Sequence, residues 1–540
     1  MVSGPSKLVL CVIDAMSPTM LKRAIDDGAA PVLQALMEAG DYTPSCVAAF
    51  PSVTPVCAAS IVTGAWQDQH RIPGMNWYDR QEDRYVEYGS SLKASQRFGI
   101  AQQLIDTVYN LNRSHLAPEP LTIFERLDDA GLRTAGTTYL MYRGRYEHEP
   151  DRERTLSRIA AMTLMRHPVM GPRELFYADI FASRRTPCRS VFGMPGIRDR
   201  HSGCVGAHLV EHDLFDFLLL SLPDNDWYSH KYGPEAQVRS IAAADAQLSR
   251  VAEAAGGLDA FLGDHAVIVL ADHSQAPVSA SRSLQDDLEE LSVLRPDGRC
   301  SRGGRPKIAV CPSQRAAMVY VLDPEQRDAL RPRIVRQASA LSGVELTMWL
   351  ERDAHGAPRE GVVRGPDGEL RFAPGGELLD ARGAAWSVEG QLRVLAAEVR
   401  DGLLLTPSHP DALSRVYAAL TCETSGDVLL SAAPGFEFGD WGGEAHIGGG
   451  SHGSLRAEDS LGPLLSCGLG SGAARPSSAT SSHPPSATGS HPSSVPGSGP
   501  SSAPGSGPSS ARRGGELAAI PSSRISDVVP MILDFFHLRR

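Results

Sequence analysis

The sequence has 540 residues, 42% of them hydrophobic and 21% charged, and can bury a large core in about two to four domains. Its 52 basic and 63 acidic residues give a formal net charge of −11. This charge argues against binding of nucleic-acid duplexes, because phosphate backbones attract clustered Lys and Arg. The apolar runs are shorter than the ~20 residues that span a bilayer, so we expect no membrane segment.

The cysteines and the first apolar stretch indicate a cellular compartment. Nine cysteines are scattered without Cys-x-x-Cys spacing, and their odd number favours reduced thiols over a disulfide framework. The first apolar stretch ends at Asp14, and no small-residue cleavage site of a signal peptide follows it. We therefore expect a cytoplasmic protein, while its oligomeric state stays open.

In chain order, the first half alternates between strand and helix patterns. The predicted buried strands lie at Lys7–Ile13, near 133–138, at 215–222 and at 266–271. Helix-like stretches at 18–27 and Pro31–Ala39 follow the first strand. The expected fold class is α/β, with a mostly parallel central sheet flanked by helices.

The pattern changes in the second half. Shorter alternating segments with turn signals at 365–368 and 374–376 surround a helical stretch at 324–341. The predicted divisions are 1–275, the first part of the core; 276–434, an inserted α+β cap; 435–469, the second part of the core; 470–515, an insert; and 516–540, a C-terminal segment.

The last two divisions differ in composition. Residues 470–515 are mostly Ser, Pro, Gly and Ala, so too little apolar surface offsets the chain entropy and we expect a disordered insert. An apolar helix is predicted near 525–536, with Ser526 or Asp527 as its cap and Pro530 in its first turn. This helix should dock on the core.

Metal-competent side chains follow the predicted strands or lie beside glycines. They are Asp14, Asp226 with His230 four residues later, Asp272 with His273, and His452 in a glycine-rich loop. In parallel sheets, the carboxyl ends of the strands hold the active site. Each residue also has a plain reading as a helix cap, turn or polar loop residue. Asp224 competes with Asp226, and His446 with His452, whereas Asp264-His265 precedes its strand and is expected at the surface.

A hydroxyl group is placed at the start of a further helix. Thr54 lies in a proline-punctuated turn that passes into a helix of small residues ending near Gly64. A helix N-terminus favours bound anions such as phosphate. Thr54 could equally be a simple helix cap.

Together these residues resemble the nucleotide pyrophosphatase/phosphodiesterase branch of the alkaline phosphatase superfamily. The matching features are Asp14, Thr54 seven residues before Ile61-Val62-Thr63-Gly64, Asp226-x-x-x-His230-x-x-Gly233-Pro234, Asp272-His273 and His452-Gly453. The resemblance implies a hydrolase of small phosphate esters or nucleotides with two divalent metal ions. A mixed Asp/His ligand set suits zinc and also admits Mn²⁺.

The resemblance also implies a role for each residue. One zinc is expected at Asp14, Thr54, Asp272 and His273, and the other at Asp226, His230 and His452. Thr54 is the expected nucleophile and forms a phospho-threonine intermediate. Asn76, in Asn76-Trp77-Tyr78-Asp79, is expected to hold a non-bridging phosphate oxygen, although Met75 stands at the family's usual position.

The sequence departs from the family at two further places, and alternative functions stay open. His70-Arg71-Ile72 replaces the usual His-Gly-Ile, and Pro55-Val56 stands where many members have Phe-Pro. A phosphomonoesterase or phosphonate hydrolase would use the same ligands. A sulfatase is disfavoured because 57–61 lacks Cys/Ser-x-Pro-x-Arg. A non-catalytic metal-binding or interaction protein is the alternative from another class.

Overall fold

A computed structural model describes residues 4–151, 165–190, 194, 196–470 and 523–538. Its core sheet has nine strands, in the spatial order Ser523–Arg524, Asp41–Val47, Leu461–Cys467, His265–Leu270, Lys7–Ile13, Phe217–Leu222, Thr134–Gly136, Glu174–Tyr177 and Phe181–Ala182. Neighbours pair in parallel except where Leu461–Cys467 or the edge strand Phe181–Ala182 takes part. The predicted mostly parallel α/β sheet is confirmed.

The central strands form because their unbroken apolar runs are buried on both faces. Along Lys7–Ile13, the residues Leu8, Leu10 and Val12 pack into one apolar cluster. The alternate residues of that strand, such as Val9 and Cys11, pack into a second cluster. Helices cover each cluster, as expected for parallel strands.

Within the described residues, the α-helices are Pro18–Asp26, Pro31–Ala39, Thr54–Thr63, Gln67–His70, Leu92–Phe98, Ile100–Ile105, Ile123–Asp129, Arg198–Glu211, Asp224–Tyr232, Gln237–Glu253, Leu258–Asp264, Leu284–Asp287, Arg327–Ser339, Ala412–Thr421, Ala457–Ser460 and Val528–Phe535. A π-helix spans Asp106–His115. The predicted element types are correct, and their ends move by a few residues: the strand near 133–138 shrinks to Thr134–Gly136, and the helix at 324–341 is Arg327–Ser339 after a 3-10 turn.

A second sheet, the cap sheet, has ten strands between Val293 and Ala432. In spatial order they are Val293–Leu294, Ile308–Ser313, Ala316–Val321, Val428–Ala432, Val344–Arg352, Pro358–Gly365, Gly368–Asp380, Leu403–Leu405 and Glu398–Arg400, with Ala385–Gly390 paired to Gly368–Asp380. The predicted turn at 365–368 joins two strands. The turn predicted at 374–376 is wrong, because these residues form an irregularity inside Gly368–Asp380, where the pairing register shifts.

The cap sheet packs directly on the core. One apolar cluster contains both core-strand residues such as Leu10 and cap residues such as Met318 and Phe372. Four short strand pairs complete the fold: Asn76–Asp79 with Arg84–Glu87, Tyr146–His148 with Val169–Gly171, Ala276–Pro277 with Gly450–Ser451, and Ala280–Arg282 with Phe436–Phe438. The last two pairs join the chain entering the cap to the chain leaving it.

The C-terminal helix docks on the core. A 3-10 turn, Ile525–Asp527, leads into the helix Val528–Phe535, which buries Val529 and Ile532 in the same cluster as the first strand. Asp527 is its N-cap residue, although its side chain makes no capping hydrogen bond. Apart from Gly470, the predicted disordered insert lies outside the described residues.

Two observations bear on the expected compartment. Cys188 and Cys204 form a disulfide, so the expectation of reduced thiols is wrong for this pair. The pairing is a long-range contact that the scattered cysteine spacing does not indicate. No helix in the described ranges is long and apolar enough to cross a membrane. The cytoplasmic location stays a prediction. The argument from reduced thiols no longer supports it, because one pair of cysteines is oxidised.

Candidate active site

The candidate ligands meet at the carboxyl edge of the core sheet. The strand Lys7–Ile13 lies between Phe217–Leu222 and His265–Leu270 and pairs with both in parallel. Asp14 follows the middle strand directly, and Asp272 follows one neighbour. Asp226 lies in the helix that follows the other neighbour. Parallel strands therefore bring three distant carboxylates to one edge.

The first group surrounds the imidazole of His273. Its Nε2 atom lies 3.7 Å from Asp14 Oδ1 and 3.5 Å from Asp272 Oδ2. The same Nε2 is 3.2 Å from the hydroxyl Oγ1 of Thr54. The structure thus brings together all four residues predicted for one metal.

The second group surrounds Asp226. Its Oδ1 atom is 3.4 Å from His230 Nε2 and 3.5 Å from His452 Nε2. The helix Asp224–Tyr232 supplies Asp226 and His230 from successive turns, as their four-residue spacing predicts. The three residues predicted for the other metal therefore also lie together.

The two groups form one continuous site. The ligand atoms of Asp226, His230 and His452 lie within 4.8 Å of one another, and so do those of Asp14, Asp226 and His273. The rings of His273 and His452 stack with centroids 3.8 Å apart. Asp226 is shared by these two sets of three ligands, so the arrangement suits two neighbouring cations.

Backbone carbonyls orient all three histidines in the same way. The Nδ1–H of His230 donates to Gly450 O at 2.8 Å, and that of His452 donates to Ser52 O at 2.8 Å. The Nδ1–H of His273 points to its neighbour's carbonyl at 3.2 Å. Each ring therefore directs its Nε2 toward the carboxylates, and the loss of the Nε2 proton gives the tautomer that a metal ligand needs.

The carboxylates are held in unequal electrostatic surroundings. Burial raises the pKa of Asp14 well above its usual range, and the charges of Asp272 and Asp226 raise it further. Burial also raises the pKa of Asp272. Burial alone would raise the pKa of Asp226, but His230 and then His452 hold it well below its usual range. Such crowding of buried carboxylates requires compensating positive charge.

The donor set fits divalent cations. The buried oxygens Asp14 Oδ1 and Asp272 Oδ2 have no hydrogen-bond partner in the described part of the chain. Buried polar atoms normally have a hydrogen-bond partner, so these two oxygens indicate a site for a bound ligand. Carboxylate oxygens and imidazole nitrogens together are typical zinc ligands and also accept Mn²⁺.

Thr54 is the first residue of the helix Thr54–Thr63, and Val53 occupies the N-cap position. The reading of Thr54 as a helix cap is therefore wrong, because its hydroxyl contacts His273 instead. Small buried residues such as Ala58 and Ala59 let this helix pack under the site. Its N-terminus carries a partial positive charge that favours an approaching anion.

The comparisons with known proteins identify the family of the chain. A family model of type I phosphodiesterases/nucleotide pyrophosphatases matches residues 8–356. The chain belongs to this family. It is therefore a phosphoester hydrolase of the alkaline phosphatase superfamily, which is metal-dependent. Every predicted site residue except His452 lies within the matched range.

Two solved structures with a similar fold are phosphonoacetate hydrolase from Sinorhizobium meliloti 1021, one in complex with phosphonoformate and one with phosphonoacetate. Each is 18% identical to this phosphodiesterase family member, and each comparison covers 86% of this chain and 90% of that chain. Their TM-scores are 0.49 and 0.48, too low to assign a substrate. The comparison with curated proteins finds no match.

Asn76 begins the strand Asn76–Asp79 and is fully buried. Neither atom of its side-chain amide has a hydrogen-bond partner within the described ranges. Its role in holding a phosphate oxygen in this family member stays a prediction. Nearby Arg71 adopts a left-handed backbone with a φ of 66°, which explains why the family usually has glycine there.

The competing residues have other partners. The Nδ1–H of His446 donates to the buried Glu437 carboxylate at 2.8 Å, and its ring stacks on His230 with centroids 4.0 Å apart. Asp224 accepts hydrogen bonds from the Arg198 guanidinium and from backbone amides. Neither residue belongs to the metal-competent groups in the described part of the chain.

The pair Asp264-His265 lies at the opposite edge of the sheet, as predicted. His265, however, is buried, so its predicted surface position is wrong. Its ring stacks on Phe261 with centroids 4.6 Å apart, and its Nδ1–H donates to the Phe261 carbonyl at 3.0 Å. The His265 imidazole therefore packs against Phe261 on the preceding helix and does not face solvent.

Sequence reasoning missed the residues that hold the ligands in place. The Gln275 amide donates to Asp226 Oδ1 at 2.6 Å. Arg315 forms a fully buried ion pair with Asp459, and its backbone N–H donates to His452 O at 2.8 Å. Gln275 lies three residues after Asp272, a weak signal, while Arg315 and Asp459 carry no recognisable signal because only the fold joins them.

Gly453 has a structural reason to follow His452. Its φ is +117°, and a Cβ at this position would lie 2.8 Å from Ser313 O. A side chain there would push the loop away from the cap strand that supports it. Glycine therefore keeps His452 against the other ligands.

Proposed function

We propose that this family member is a two-metal phosphodiesterase or nucleotide pyrophosphatase that acts through a phospho-threonine intermediate on Thr54. The observation that carries the proposal is the 3.2 Å contact between Thr54 Oγ1 and His273 Nε2 inside the ligand cluster. A threonine hydroxyl is a weak nucleophile at neutral pH, so it needs an activating environment. The Thr54 hydroxyl has such an activating environment because it lies among the proposed metal ligands and at a helix N-terminus.

The proposed metal sets are Asp14, Thr54, Asp272 and His273 for one cation, and Asp226, His230 and His452 for the other. Zinc is the proposed metal, and Mn²⁺ is the alternative. When bound, the cations would stabilise the charge that develops on the attacking and leaving oxygens. Gln275, which donates to Asp226 at 2.6 Å, would keep that carboxylate in place.

The reaction proceeds by two displacements at phosphorus. Thr54 Oγ1 attacks a phosphodiester in line, a new oxygen–phosphorus bond forms, and the bond to the leaving alcohol breaks. Water then attacks the phospho-threonine from the side that the leaving group has vacated and releases a monoester. The Asn76 amide, buried with both polar atoms unpaired, would donate to a non-bridging oxygen of the phosphoryl group.

A substrate panel tests the proposal. Purified full-length protein with zinc or manganese is assayed with bis(p-nitrophenyl) phosphate, the p-nitrophenyl ester of thymidine monophosphate, p-nitrophenyl phosphate and phosphonoacetate. We expect kcat/KM for at least one diester to exceed that for the monoester and the phosphonate by tenfold or more. A higher value for the monoester or phosphonate would reassign the activity within the superfamily. No hydrolysis of any substrate by protein that retains two metals would support the non-catalytic alternative.

A further inference from the structure

A cavity of about 160 Å³ lies where the core meets the cap sheet, and arginines dominate its walls. Arg80 directly follows Asn76–Asp79, a strand of one of the short pairs. Arg327 and Arg331 lie in the first turns of the cap helix, and Arg352 ends the cap strand Val344–Arg352. We call this space the arginine cavity. None of the predicted metal ligands lines it.

A buried carboxylate organises two of the four guanidinium groups. Asp427, with 6% of its side chain exposed, lies 3.0 Å from Arg80 Nη2 and 2.6 Å from Arg327 Nε. Its Oδ2 also accepts the backbone N–H of Val321 at 2.7 Å. One carboxylate therefore faces two arginines from different parts of the fold.

The remaining charges do not cancel. Arg331 pairs with Glu351 at 2.7 Å. The other acidic residue of the lining, Glu423, pairs with Arg71 at 2.8 Å. Arg352 donates a hydrogen bond to Gly356 O at 3.0 Å, a neutral acceptor. Asp427 and Glu351 thus leave about two positive charges uncompensated around the cavity.

The positive field at Arg352 reflects this imbalance. Partial burial lowers the pKa of its guanidinium, and the positive charges of Arg327, Arg80 and Arg331 lower it further against the opposing effect of Asp427. Like charges held this close repel, so a bound anion would stabilise the arrangement. Guanidinium groups match the oxygens of phosphate and sulfate through paired N–H donors.

The size of the cavity limits the ligand. The cavity of about 160 Å³ is well above the ~10–15 Å³ that a site for a single water molecule needs, so it has room for a small polyatomic ion. This space suits one tetrahedral oxyanion and is smaller than the ~300 Å³ at which sites for drug-sized ligands begin. We propose that the arginine cavity binds one phosphate or sulfate ion and thereby links the core to the cap sheet.

Equilibrium dialysis with labelled inorganic phosphate, on the full-length protein, tests the proposal independently of hydrolysis. In Asp226→Asn, which impairs the metal cluster, we expect one phosphate to stay bound per chain. In Arg352→Gln, the affinity for this phosphate should fall at least tenfold. Arg333→Gln, an exposed arginine on the same cap helix, is the matched control and should keep it.

Thermal unfolding at constant ionic strength provides the second measurement. Replacing chloride with sulfate should raise the Tm of the wild type and of Arg333→Gln, and should raise it clearly less in Arg352→Gln and Arg331→Gln. Equal stabilisation of all four proteins would overturn the proposal, because it would show a general salt effect. So would phosphate binding that disappears in Asp226→Asn and persists in Arg352→Gln, since the ion would then lie at the metal cluster.

Discussion

The central strands of the core sheet have charged residues at both ends, and the surroundings of these residues differ between the two ends. At the amino end, two basic residues have direct partners: Lys7 lies 2.6 Å from Asp213, and Arg133 lies 2.7 Å from Asp216. At the carboxyl end, carboxylates gather with buried oxygens that have no hydrogen-bond partner in the described part of the chain. The paired charges at the amino end stabilise the fold. The crowded carboxylates at the carboxyl end are arranged to bind a ligand.

One strand shows the contrast with the same dipeptide. His265–Leu270 has Asp264-His265 at its start and Asp272-His273 just beyond its end. His265 packs on Phe261, and His273 faces Asp14, Asp272 and Thr54. The surroundings of an Asp-His pair therefore depend on its position in the parallel sheet and not on residue type alone.

The largest expected effect is at Thr54 on the carboxyl edge. Thr54→Ala should lower kcat/KM by about three orders of magnitude or more with little change in Tm, because the nucleophile is lost. Thr54→Ser should retain measurable hydrolysis. Thr63→Ala, at the other end of the same helix, is the control and should stay active. Its hydroxyl donates to Ala59 O at 2.6 Å and accepts the backbone N–H of Ala65 at 3.3 Å, away from the site. Full activity in Thr54→Ala would remove the nucleophile assignment.

A comparison of two neighbouring histidines sharpens the contrast between ligands and supporting residues. His452→Ala should reduce the bound metal from two ions to about one and lower activity by about a hundredfold or more, because stabilisation of several kcal/mol is lost. His446→Ala should keep both ions, since its Nδ1–H donates to Glu437. Elemental analysis of dialysed protein measures both. The reverse result would exchange their roles.

The amino edge should affect stability rather than catalysis. Asp216 accepts three hydrogen bonds from Arg133, which outweigh the effect of burial and lower its pKa. Asp216→Asn should lower the free energy of unfolding by about 1–3 kcal/mol and leave kcat/KM unchanged. Because the folded pKa is lowered, this stabilisation is present above about pH 4 and is lost as pH falls through the folded value. Urea denaturation at pH 7 and pH 3 measures it, and a loss of activity at pH 7 would contradict the contrast between the edges.

The smallest expected effect concerns His265. Burial lowers its pKa, so on acidification the unfolded chain takes up a proton first, below about pH 6.5, and stability falls until the folded pKa is reached. His265→Phe should shift the free energy of unfolding at pH 7.5 by less than about 1 kcal/mol and reduce the loss between pH 7.5 and pH 5.5. Urea denaturation at both pH values is the measurement. An unchanged acid loss would show that His265 does not contribute to it.

The sequence indicates the candidate ligands because each lies just after a strand or in a glycine turn, where a local pattern reveals it. Asp14 directly follows an unbroken apolar run, and the spacing of Asp226 and His230 is that of one helical turn. A parallel sheet then places the ends of such strands together without further information. The fold class and this edge of the site therefore follow from short-range pattern.

The supporting residues could not be predicted, because their partners are distant in sequence. Arg315 and Asp459 are 144 residues apart and meet only after the cap has packed on the core. The same holds for the arginine cavity, whose walls come from separate elements of core and cap. The disulfide joins Cys188 and Cys204 across only 16 residues, and no local cysteine motif marks the pair. Such contacts depend on tertiary packing and leave no local pattern.

Trapping the intermediate tests the central claim most directly. The wild-type protein is mixed with a phosphodiester labelled on the phosphoryl group, quenched rapidly in acid, digested and mapped by mass spectrometry, with Thr54→Ala as the control. We predict a phosphoryl adduct on Thr54 that grows to a steady level during turnover and is absent in Thr54→Ala. An adduct on Ser52 or Ser60, together with an active Thr54→Ala enzyme, would contradict the account.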